Sequence, residues 1–118
     1  MLGAVAMRDR LFRNRAELEA HQLERLTALL AVLREHNPFY GPRLLAVGLD
    51  GPPASLAQFS AALPCTTKPE LVADQERHPP YGSNLSYPLE AYTRVHATSS
   101  TTGRTPLRWL DTPESWEW

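Results

Sequence analysis

The stretch Ala97 to Pro106, ATSSTTGRTP, gathers the groups in this 118-residue chain best suited to holding a ligand. Thr98, Ser99, Ser100, Thr101, Thr102 and Thr105 supply hydroxyls, Gly103 a permissive backbone and Arg104 a flexible cation. Backbone N–H groups in a tight turn, hydroxyls and a guanidinium together offer many donors to phosphate oxygens without needing a packed pocket. The pattern is not a Walker A loop, which needs a glycine five residues before its Gly-Lys pair, where this chain has Thr98.

A phosphate loop has to be held at both ends, and the flanking segments read as strands. Residues 93–98 alternate, with Arg94, His96 and Thr98 on one face and Thr93, Val95 and Ala97 on the other. Leu107, Trp109 and their neighbours form a second strand pattern, and Asp111 or Thr112 with Pro113 opens a helix that has barely begun at Trp118.

Upstream the chain reads as helical. Asn14 and Glu17 outline a capping box before RAELEAHQLERLTALLAVLREH, where Leu23, Leu26, Leu30 and Leu33 fall on one stripe widened by Leu29 and Val32. Pro38 ends that helix at Asn37, Phe39 and Tyr40 supply buried anchors, and Pro42 opens a short helix that Gly48 closes. Asp50 to Pro53 is turn chemistry. Ser55 with Gln58 starts a helix through Leu63 that Pro64 stops, and Thr67 with Glu70 starts another, with Pro69 in its first turn, running to about Glu76. His78 to Pro88 is a loop by composition, in which His78 has no metal-spaced partner and reads as a solvated residue. The expected organisation is an arm over residues 1–14, helices over 15–76, a loop over 77–91 and strand, loop and strand over 92–110.

Composition excludes several functions. Twelve basic against thirteen acidic side chains, a net charge of −1, give no general attraction to nucleic acid or to an anionic membrane. Arg8, Arg10, Arg13 and Arg15 read as a solvated charge run. The single cysteine, Cys65, rules out an internal disulfide, fits a reducing compartment and reads as a small buried filler. The opening MLGAVAM is short for a signal-peptide core, with Met7 a candidate alternative start, and no apolar run approaches the roughly 20 residues of a membrane span. A cytoplasmic protein is expected.

Three separated pieces, NPFY (Asn37 to Tyr40), LPCTTKPEL (Leu63 to Leu71) and RVHATSSTTGRTP (Arg94 to Pro106), resemble in order and spacing the N-terminal part of phenylacetate-CoA ligase-like enzymes of the adenylate-forming, AMP-binding superfamily. The resemblance runs from about Leu23 to the C-terminus. It implies an α/β fold: an N-terminal helical segment of three to four helices leading into the first strands of an incomplete adenylate-forming N-terminal domain. It further implies ATP, with Mg²⁺ as counter-ion, and coenzyme A. A carboxylate attacks the α-phosphorus, pyrophosphate leaves, and coenzyme A takes the acyl group from the adenylate as a thioester. In the family the loop (S/T)-S-G-T-T-G-(K/R) holds the β- and γ-phosphates. By position, Thr98 and Ser99 take the first two hydroxyl places, Thr101 and Thr102 the next two, Gly103 the second glycine and Arg104 the basic place. Ser100 stands where the family has its first glycine, and Thr105 interposes before Pro106.

None of these residues is a nucleophile, and the family's acyl pocket, nucleotide contacts, hinge and catalytic lysine lie beyond this loop. The expectation is therefore the front of a longer ligase, inactive alone. Two tryptophans at the chain's end, with nothing following to bury them, point the same way. The alternative from another class is a non-catalytic helical module that binds a partner through the Leu23 to Leu33 stripe, with residues 98–104 a solvated turn.

Overall fold

A computed structural model describes residues 14–99 and 105–116. Its helical part contains α1 (Arg15–His36), α2 (Tyr40–Ala46), α3 (Leu56–Ala62) and α4 (Lys68–Arg77). A 3-10 turn (Leu89–Ala91) then precedes β1 (Arg94–Ala97), β2 (Arg108–Asp111) and the short α5 (Pro113–Trp116). The fold class is α/β, as the sequence implies.

The helix boundaries follow local chemistry. Asn14 caps α1 by accepting a hydrogen bond from Glu17 N at 2.8 Å, satisfying one of the N–H groups left over at a helix start. At the other end the proline at 38 leaves Asn37 extended, with φ −103° and ψ 110°. The next helix starts at Tyr40 rather than at Pro42. The side-chain oxygen of Asn37 accepts from both Phe39 N and Tyr40 N, so it caps the helix two residues earlier, and Pro42 still lies in the first turn where its missing N–H is harmless. Gly48, at φ +78°, closes α2 as expected.

The box at Ser55 is shifted by one residue. Ser55 Oγ accepts from Gln58 N at 3.0 Å, but Gln58 Oε1 accepts from Ala54 N rather than returning to Ser55. At α4 both halves are present, Glu70 N donating to Thr67 Oγ1 and Thr67 N donating to Glu70 Oε2 at 2.7 Å.

One core results. Leu30, Leu44 and Leu49 are buried, with Leu26, Leu33, Val47, Phe59, Ala62 and Leu63 packed against them, so the C-terminal half of the leucine stripe faces the chain's own α2 and α3. Leu29 points away and is about half exposed. Phe39 is fully buried and carries the Arg43 guanidinium 3.6 Å above its ring. Cys65 departs from the buried filler expected of it. It lies exposed in the link between α3 and α4, because the core is closed by Leu63 and the link's own anchor is the Tyr40 hydroxyl bonded to Thr66 Oγ1 at 2.9 Å.

Candidate functional site

The strands β1 and β2 pair antiparallel, with Arg94 opposite Asp111, Val95 opposite Leu110, His96 opposite Trp109 and Ala97 opposite Arg108. The ladder runs one step past each named strand end. Thr93 N donates to Asp111 O, and Thr98 N donates to Leu107 O, both at 2.9 Å. Residues 99–106 are therefore the connection of a hairpin whose mouth is the Thr98–Leu107 pair. Ser100, Thr101, Thr102, Gly103 and Arg104 lie outside the described residues, so the candidate loop is defined here by its two ends.

At the entry, Thr98 does more than extend the ladder. Its Oγ1 accepts from Leu107 N at 3.0 Å, which gives the mouth a second cross-link and leaves the hydroxyl proton available to a further acceptor. Ser99 is exposed. At the exit, Thr105 is exposed and Pro106 half-buried.

The exit is tied to α4 by a side chain that sequence reasoning did not single out. Gln75, only 4% exposed, donates from Nε2 to Pro106 O and accepts at Oε1 from Arg108 N, each at 2.8 Å. The preceding residue, Asp74, is 5% exposed and holds the neighbouring turn, accepting from Ser83 N at 2.7 Å and from the Ser83 hydroxyl. That turn needs Gly82 at φ +78°, and a Cβ there would come within 2.6 Å of Asp74 Oδ2. Arg108 reaches back over the same loop, its guanidinium donating to Pro80 O at 3.3 Å. A cavity of about 210 Å³ lies between α4, the turn at 81–85 and β2.

One face of the hairpin carries a layered stack. His96 lies nearly parallel to Trp109 and to Trp116, with ring centroids 5.5 and 5.2 Å apart, and the Arg94 guanidinium sits 4.1 Å above the Trp116 ring. His96 Nε2 is buried and 3.1 Å from Asp111 Oδ2, but out of line for a hydrogen bond, so the contact is an ion pair only when the ring is protonated. Thr112 Oγ1 accepts from Ser115 N and caps α5. Among the described residues no three His, Cys, Asp or Glu side chains converge as a metal site, and no helix is long and apolar enough to cross a membrane.

The first quoted segment, NPFY, is not at the hairpin but joins the helical part to the loop that leads there. Besides capping α2, Asn37 donates from Nδ2 to Asn84 Oδ1 and Ser86 Oγ, both at 3.0 Å. The Tyr92 hydroxyl then accepts from Ser86 N at 3.0 Å and Tyr87 N at 3.2 Å, one residue before the ladder begins. A continuous path of hydrogen bonds thus runs from the α1–α2 corner to the foot of β1.

Comparison with known proteins places this arrangement. No protein-family model matches the chain. A phenylacetate-coenzyme A ligase of Thermus thermophilus is 37% identical over 90 residues, 76% of this chain and 19% of the relative. Among solved structures, 2-hydroxyisobutyryl-CoA ligase in an open conformation with 2-HIB-AMP and CoA superposes with a TM-score of 0.74 at 31% identity, over 88% of this chain and 24% of that one. The same enzyme in its thioesterification state, again with 2-HIB-AMP and CoA, gives 0.75 at 33% identity, over 88% and 22%. The chain thus spans about a fifth of the curated relative and under a quarter of each of these structures. In sequence and fold it is akin to the N-terminal part of phenylacetate-CoA ligase-like, adenylate-forming enzymes.

Proposed function

We propose that this chain supplies the phosphate-holding hairpin of an ATP-dependent acyl- or aryl-CoA ligase, a protein of the cytoplasm that adenylates a carboxylic acid and passes the acyl group to coenzyme A. In this reading Thr98, Ser99, Ser100, Thr101, Thr102, Gly103 and Arg104 surround the β- and γ-phosphates of ATP, with Mg²⁺ as counter-ion. The observation that carries it is the braced loop mouth. A hydroxyl-rich loop with one cation joins two paired strands, and its ends are cross-linked by Thr98 and Leu107 and tied to α4 by Gln75. The relatives' CoA-ligase names and their complexes with an acyl adenylate and CoA support the same chemistry.

Arg104 is the charged member. A guanidinium facing pyrophosphate stabilises charge as the α-phosphorus bond breaks, and charge-assisted hydrogen bonds are the stronger kind. The hydroxyls and N–H groups add neutral donors. Bond making and breaking fall to the carboxylate, ATP and CoA; the loop's contribution is orientation and charge stabilisation.

The test is a chimera in which residues 14–116 replace the matching segment of 2-hydroxyisobutyryl-CoA ligase. Carboxylate-dependent exchange of pyrophosphate into ATP should survive in the chimera, while the 118-residue chain alone should form no acyl-CoA. A folded chimera that still binds CoA yet exchanges no pyrophosphate would contradict the reading.

A further inference from the structure

Strand β1 carries a histidine whose buried ring nitrogen has no hydrogen-bond partner among the described residues. A buried polar atom left unpaired is costly. His96 Nε2 lies 3.1 Å from Asp111 Oδ2, and the two side chains are only 29% and 25% exposed. In a neutral imidazole this nitrogen either turns a lone pair towards the carboxylate or carries an N–H that is out of line with it. Protonation removes the conflict, because a full positive charge attracts a carboxylate in contact with little demand on alignment.

The surroundings favour the same form. Trp109 and Trp116 both stack on His96 with 20° between ring planes, and an indole face attracts a cation more than a neutral ring. The like charge on β1, Arg94, sits over the Trp116 ring and is exposed, so water and salt screen its repulsion. Arg108 belongs to the other face of the hairpin, where it donates to Pro80 O, and Glu114 of α5 is exposed. Asp111, in contact, decides the balance. The same carboxylate also holds α5, its Oδ1 accepting from the Ser115 hydroxyl at 3.0 Å. One oxygen thus joins Asp111 to α5 and the other faces His96, while Trp116 of α5 closes the circuit by stacking on that imidazole.

We propose that His96 is a proton-operated clasp that fastens α5 to the hairpin through Asp111 and Trp116. No residue between 99 and 106 takes part, so the clasp is independent of the phosphate reading. The sign follows from which form is held. The clasp is closed where the ring is charged and Asp111 is ionised. It opens as pH rises and the ring gives up its proton, and opens again in stronger acid when Asp111 gains one.

The experiment follows the isotope-labelled 118-residue chain by NMR across the histidine range, with amide exchange expressed as protection so that the intrinsic pH dependence of exchange is removed. The amides to watch are Ser115, which donates to Thr112 Oγ1, and Trp116, which donates to Thr112 O. Both should gain about two- to fivefold in protection on the acid side, the scale of an ion pair near the surface, in step with the His96 ring signals. His96→Asn should abolish that step. Asp111→Asn keeps an oxygen for Ser115 but presents an amide to the ring, and should abolish it too while the His96 ring still titrates. His21→Asn, on α1, is the control and should leave the step in place. Protection at α5 that stays flat while His96 titrates overturns the clasp, as does a step that survives in either His96→Asn or Asp111→Asn. If those variants do not fold, the wild-type chain decides, and a step whose midpoint differs from that of the His96 ring signals overturns it.

Discussion

At the level of single residues, the hairpin depends on polar side chains that are buried and fully engaged. Asp74, Gln75 and Asn37 are each at most 5% exposed, and each bonds backbone or side chains far away in sequence. None of these roles was legible in the chain. A glutamine in a helix carries no local mark of a partner more than 30 residues on, whereas Asn37 could be read as a helix stop because its relation to Pro38 is local. Gly82 shows how tight the arrangement is. Its φ of +78° and the 2.6 Å approach of a would-be Cβ to Asp74 Oδ2 mean that Gly82→Ala must both strain the backbone and push the carboxylate off Ser83. The expected loss is at least about 1–2 kcal/mol from the left-handed backbone alone, measured by denaturant unfolding. A stability unchanged within error would show that the turn at 81–85 relaxes freely.

At the level of elements, the caps were legible and the packing partners were not. The bounds of α1 coincide with those the sequence dictates because Asn14 and Pro38 act locally on either side of a leucine stripe. The 3-10 turn at Leu89–Ala91 carries no such signal, and the early start of α2 depends on Asn37 serving two caps at once. Within the stripe, burial separates residues that periodicity groups together. Leu30→Ala should cost about 2–5 kcal/mol, because the side chain is 1% exposed among Leu44 and Leu49. Leu29→Ala should change stability by no more than about 0.5 kcal/mol, since half of that side chain is in water. Equal melting temperatures for the two variants would contradict the placement of the core.

Helix α4, which carries Gln75, has a pH-sensitive start. The Glu70 carboxyl is held below its ordinary pKa, first by the hydrogen bond from Thr67 N, then by the Thr67 hydroxyl, with a smaller favourable contribution from Arg43. A pKa lower in the folded than in the unfolded state means stabilisation that is complete above the unfolded value and is lost as pH falls through the folded one. Amide protection at Lys68–Glu70 should therefore decrease on acidification below the usual carboxylate range, and Glu70→Gln should remove that step. An identical acid profile in the variant would assign the change to another group.

At the scale of the whole molecule, the chain matches its relatives over most of its own length but only a fifth to a quarter of theirs. The kinship was legible because three short segments stand in the right order. The bracing of the loop was not, because it is made by contacts between α4, the loop at 81–86 and the hairpin, which only the folded chain brings together. The proposed function rests on residues 98–104 holding the phosphates of ATP, with Arg104 as the charged contact. Its most direct test is Arg104→Ala in the chimera with 2-hydroxyisobutyryl-CoA ligase, read by carboxylate-dependent pyrophosphate exchange, with the exposed Arg15→Ala as control. Exchange should fall by about 10- to 100-fold at Arg104, the scale of a lost charge-assisted contact of about 1.5–3 kcal/mol, and stay unchanged at Arg15. Full exchange activity in Arg104→Ala would contradict it.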